Sequence, residues 1–301
     1  MKENYEVIEK ITPLFDLPAK FKEIEDYLCD NSNLPGPRGN LTLAFKFAEC
    51  FEQEVISKEL LDLLVGWINI PEAQAPTNNP REYLPFCGIL ALGSHYCYTN
   101  DKTKELIMEQ FKIAMNDKRW RMREGAAMGF QKIAEKDFNV IKEYFDLWYS
   151  NSSCLEKRAF IAALAHPPIL KDEEITWFSL KISDHILKDI LLCSKESRKS
   201  EEFTALSKGL QYALSVFAAY LPKEGFQLFK KYALLKDPEI NKILKVNLGK
   251  TRLTKKYSEN IDENAGDGYA NDIPGIKGAM LRFIDRSIDF LWFNISLFGR
   301  S

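Results

Sequence analysis

Glycine and proline are both scarce in this chain, 15 and 13 among 301 residues, too few for the many tight turns of an all-β fold. Histidine occurs only three times, and the six cysteines (Cys29, Cys50, Cys87, Cys97, Cys154, Cys193) fall singly. With no CxxC, neither a dense disulfide framework nor a thiolate zinc site is indicated. His95 stands near Cys87 and Cys97, yet no third ligand follows at metal spacing. HExxH, GxSxG and a Ser/His/Asp grouping are missing, so hydrolytic chemistry finds no support. A basic leader followed by an apolar run is missing as well, which gives a cytoplasmic expectation.

Strong net charge is lacking too. The formal value of -2 gives no global field towards nucleic acid or anionic lipid. The charge is uneven, however. Residues 181–256 hold 16 Lys/Arg against 8 Asp/Glu, whereas residues 1–30 hold 8 acidic against 4 basic. An anionic partner therefore prefers the C-terminal half. Gly249-Lys250-Thr251 resembles the end of a phosphate loop, but Leu244 stands where its first glycine belongs. In Asp262-Glu-Asn-Ala-Gly-Asp-Gly, a calcium loop needs glycine at the sixth place and glutamate at the twelfth, where Asp267 and Ile273 stand. No cofactor or metal is implied.

What is present is helical periodicity. Residues 117–134 combine Asp117, a candidate helix cap, with small Gly125, Ala126, Ala127 and Gly129, which permit close approach of a second helix. Val140, Ile141, Tyr144, Phe145 and Trp148 then recur at helical spacing, completing one hairpin. Aligning the chain on Arg123 finds the same pattern after Arg38, Arg81, Arg158, Lys208 and Lys245, at steps of 43, 42, 35, 50 and 37. A hairpin cannot bury its apolar face alone, so repeats of this length stack and complete one another's core.

On these residues the segment Asp117–Ala134 resembles a HEAT repeat, where an Asp near the turn and an Arg in the second helix form a ladder between neighbours. The resemblance covers roughly residues 34–250. It implies an all-α fold, a right-handed α-solenoid of about five to six helical hairpins. The expected organisation is a repeat body over 1–257 with a capping helix in 1–30, a polar linker over 258–274, and an amphipathic helix over 275–301. In that last helix Leu281, Ile284, Ile288, Leu291, Ile295 and Phe298 form an apolar seam, which either caps the array or meets a partner helix or membrane surface.

The basic rungs allow two roles. They form a structural ladder, or they face a concave groove where Arg38, Arg81, Arg123, Arg158 and Lys208 meet phosphates or carboxylates beside Trp120 and Tyr212. The second role carries a narrower resemblance. Trp120-Arg-Met-Arg123-Glu-Gly-Ala is similar to a Trp-x-x-Arg-Ala-Ala segment of the helical-repeat DNA glycosylases that remove alkylated purines. Residues 202–212 are similar to a later repeat of theirs, with Tyr212 at the place of a groove-facing Trp. Their Trp-Trp-Asp segment, which supplies the catalytic carboxylate, has no counterpart here. The sequence therefore favours a non-enzymatic interaction protein binding a macromolecule, a protein first. The alternative is a DNA-binding relative of those glycosylases, with nucleic acid on 181–256; a membrane contact through 275–301 is the third option.

Overall fold

The structure, a computed structural model, describes residues 10–257. The fold is all-α, with no strand among the described residues, and the chain divides into two compact units between residues 163 and 164. The linker and amphipathic helix expected over 258–301 lie outside the described residues.

The first unit holds α1 (Phe21–Asp30), α2 (Leu41–Glu49), α3 (Lys58–Ile68), α4 (Tyr83–His95), α5 (Asp101–Met115), α6 (Trp120–Lys136), α7 (Phe138–Tyr149) and most of α8 (Cys154–Leu164). Side-chain oxygens start several of them: Asn40, Ser57, Asn100 and Asp137 each accept a backbone N–H of the first turn. Asp117 does not. It turns back to Arg119, and α6 begins without a side-chain cap.

At the centre lies α4, apolar on every side and buried along its whole length, packed against α2, α3 and α6. Its approach to α6 is set by two glycines. A Cβ on Gly93 would stand 2.7 Å from the backbone of Gly129, and one on Gly129 would strike the Phe111 ring at 2.6 Å. Small residues here let the helix axes close up, and Phe111 stacks on Phe130 at 4.2 Å in the space that remains.

The second unit, as described, comprises residues 164–257. Its two 20-residue helices α9 (Glu173–Leu192) and α10 (Glu201–Tyr220) are followed by α11 (Pro222–Ala233), α12 (Pro238–Leu248) and a short α13 (Thr251–Thr254). Helix α10 touches all the others. Asn247, fully buried, donates from Nδ2 to Leu210 O and Ile243 O, while its Oδ1 accepts from Ser215 N. One neutral amide thus joins α12 to α10.

Bonds between elements recur at similar chain separations. In the first unit Trp67 Nε1 donates to Glu25 over 42 residues, Asn69 to Gln110 over 41, Tyr83 Oη to Asn40 O over 43, and Arg119 to Ala75 O over 44. In the second unit Arg198 donates to Asp237 over 39, Asn247 to Leu210 over 37, and Tyr232 to Asp184 O over 48. Several elements are thus tied to one about a hairpin away, a pattern compatible with a helical repeat.

Candidate functional site

Two polar constellations stand out, one in each unit. In the first unit, two irregular loops are fastened to the beginning of α6. One, residues 31–40, carries a cis Leu34–Pro35 bond and Asn33 at φ 60°. The other, residues 71–79, is exposed except at Ala75 and reaches φ 71° at Asn78. Gly36 N donates to Asn78 Oδ1 at 2.9 Å, and a Cβ on Gly36 would meet Asn33 O at 2.5 Å, so glycine is required there.

Arg121 closes the cluster. Its Nη1 donates to Glu82 Oε2 at 2.8 Å and its Nη2 to Gly36 O at 2.8 Å, 85 residues back along the chain. Asn78 N donates to the same Glu82 oxygen at 2.7 Å. Glu82 and Arg121 are 1% and 6% exposed, so both charges have left water and depend on each other. Arg121 also lies 4.5 Å over the Trp120 ring. Beside it, Arg119 forks onto Asp117 at 2.9 and 2.6 Å and reaches Ala75 O. These bonds tie both loops to the start of α6.

The second constellation lies on α10, α12 and α13. Ser207 Oγ donates to Glu239 Oε1 at 2.6 Å, and Gln211 Nε2 donates to Ser207 Oγ at 3.1 Å, so α12 runs alongside α10. Lys208 is exposed one turn before half-buried Tyr212, and Arg252 of α13 lies 4.5 Å over the Tyr212 ring. Lys242 and Lys245 are exposed on α12.

The residues picked from sequence spread over varied settings. Arg38 is half-buried in the loop before α2, and Arg81 is exposed in the 3-10 turn Pro80–Glu82. Trp120 opens α6, half-buried against Arg121. Arg123 donates to Asp117 O at 2.6 Å and Lys118 O at 2.8 Å, holding the turn that leads into its own helix. Arg158 pairs with Glu124. Lys208 and Tyr212 share one face of α10, and Lys245 is exposed. Alignment on Arg123 passed over Arg119, Arg121 and Glu82, the most buried charges of the cluster. A usable signal existed: Arg121, Gly125 and Met128 share a helical face, and that face is buried.

Burial quiets four of the six thiols. Burial pushes Cys29 up to about 11 and raises Cys50, Cys87 and Cys97, which disfavours their thiolates. Among the described residues no group of three or more His, Cys, Asp or Glu is arranged to hold a metal, and no helix is long and apolar enough to cross a membrane. No family model, no curated protein and no solved structure matches the chain. Fold and site together define an all-helical protein compatible with a helical-repeat architecture.

Proposed function

We propose that the chain is a HEAT-like interaction protein, its hairpins stacked as a right-handed α-solenoid of about five to six repeats, which binds a macromolecule on an inner face. The recurrence of side-chain bonds at 37 to 48 residues carries this reading, because stacked hairpins bond to their neighbours and rarely beyond. The partner is a protein first. Buried charges such as Arg121 and Glu82 hold loops in place, while Arg81, Trp120, Lys208 and Tyr212 retain surface for contact. Isolation of the full chain from its native cells tests this. A stoichiometric protein partner is expected, retained by the parent chain and reduced by Arg81→Glu or Lys208→Glu.

A second reading, a DNA-binding relative of the alkylpurine glycosylases, is favoured by the aromatic-basic pair Tyr212 and Arg252 beside exposed Lys208. A salt titration on duplex DNA decides between the two. Submicromolar affinity that weakens steeply with salt, lost in Lys208→Glu, replaces the first reading by the second.

A further inference from the structure

Beyond Glu239 the second unit, as described, carries charge of one sign. From residue 240 to residue 257 the chain holds six Lys or Arg and no Asp or Glu. Glu239 itself is engaged by Ser207 and Lys242, and Asp237 by Arg198 and the first-turn N–H groups of α12. Among the described residues, the side chains of Lys208, Lys245 and Arg252 have no hydrogen-bond or ion-pair partner. Cations left without a counter-charge on one surface attract an anionic group from outside.

Arg252 is the most constrained of these cations. Leu253 beside it is fully buried and anchors α13, while the Arg252 guanidinium lies 4.5 Å over the Tyr212 ring. Stacking holds the planar fork in one orientation, so little freedom is left to lose when its N–H groups bind. Lys208 stands one turn before Tyr212 on the same face of α10, about 5.4 Å along the helix axis. In an extended peptide, side chains two residues apart share one side at about 6.6 Å. The flexible lysine stem spans that small difference.

The rings of this region favour a carboxylate over a nucleobase. Arg252 already takes a face of half-buried Tyr212, and Tyr257 carries Lys256 at 5.2 Å and packs against Phe226 at 5.8 Å. Base stacking needs an open ring face. A carboxylate needs only the donors.

We infer that Arg252, with Lys208 one turn away, is a docking site for an acidic protein segment, which lays alternate Asp or Glu residues on α10 and α13. The stacked guanidinium reads one carboxylate through its fork, and Lys208 meets the next. This assignment deepens the protein-binding reading and fails separately from it. A native partner retained undiminished by Arg252→Lys overturns the site alone, whereas peptide binding at the site without any native partner removes only the broader reading.

Fluorescence anisotropy of the full chain tests it, with a short labelled peptide alternating Glu and Ser, an all-Ser peptide and a short DNA duplex as probes. At low salt the Glu peptide is expected to bind and the all-Ser peptide is not. Arg252→Lys keeps the charge but not the fork, and an affinity loss of about tenfold is expected, as for one charge-assisted bond. Lys208→Gln should cost about threefold. It lies on a 20-residue helix away from α13, so it reads the site even where Arg252→Lys disturbs that short helix. Three outcomes overturn the inference: no affinity for the Glu peptide, affinity unchanged in both variants, or tighter binding of the duplex that Arg252→Lys weakens.

Discussion

The two units solve the same packing problem with different polar chemistry. The first buries one whole ion pair, Glu82 with Arg121, and beside it the Arg119 guanidinium that forks onto Asp117. The second buries a neutral amide, Asn247, and keeps its ion pairs nearer the rim, as with Asp237 and Arg198. Loop content explains the contrast. Long irregular segments in the first unit have few apolar side chains to anchor them, so directional bonds from α6 fix their place. The second unit has 20-residue helices whose apolar faces fix one another, and an amide at one crossing is enough to set the register.

The sharpest way to break this contrast is to remove one partner of the buried pair. Glu82→Ala leaves Arg121 buried without its carboxylate, and a loss of about 3–5 kcal/mol is expected in denaturant unfolding. Hydrogen exchange should place that loss in loops 31–40 and 71–79 and the start of α6. A cost below about 1 kcal/mol would show the clasp to be dispensable.

Next in size is Gly93→Ala. Its new methyl would meet Gly129 backbone at 2.7 Å, and backbone cannot swing aside as a side chain does. The expected cost is about 1–3 kcal/mol, read as a lowered unfolding midpoint. In the second unit Asn247→Leu removes three bonds and takes from the buried Ser215 N–H its acceptor Asn247 Oδ1, so about 1–3 kcal/mol is expected there. If the leucine costs more than Glu82→Ala, the assignment of roles to the two units is reversed.

The smallest effect is in pH. Burial holds His95 below its ordinary 6.5 against bonds to the Phe51 and Gln53 carbonyls. The unfolded chain therefore takes up that proton first, so the first unit is at full strength above pH 6.5 and weakens as pH falls below it. In the second unit burial pushes the Asp184 carboxyl up, but hydrogen bonds from Lys188, Lys231 and Tyr232 outweigh it and leave it below 3.8. Its stabilisation is present above pH 3.8 and drains as pH falls through the lowered value. Exchange rates followed from pH 7 to 4 should thus loosen first-unit amides before second-unit ones, and His95→Gln should remove the lag.

Much of the first unit was readable beforehand. The helix expected from Val140, Ile141, Tyr144, Phe145 and Trp148 is α7 at Phe138–Tyr149, because those five apolar residues recur at helical spacing. The small residues of 125–129 likewise announced a close helix contact. Asp117 was misjudged as a cap because Arg119, two residues on, offers a charged fork that a single backbone N–H cannot match. Arg121 and Glu82 were missed because their bond spans 39 residues, and no local pattern reports such a pair.

Periodicity along the chain determined that this protein is helical and where several helices fall, since burying an apolar stripe imposes a 3.6-residue spacing that the order of residues exposes. Tertiary structure decided which basic residues serve the interior and which meet water. Arg121 and Arg123 differ by two positions, yet one lies against Glu82 and the other against its own turn, because 200° of helical rotation points them at different neighbours.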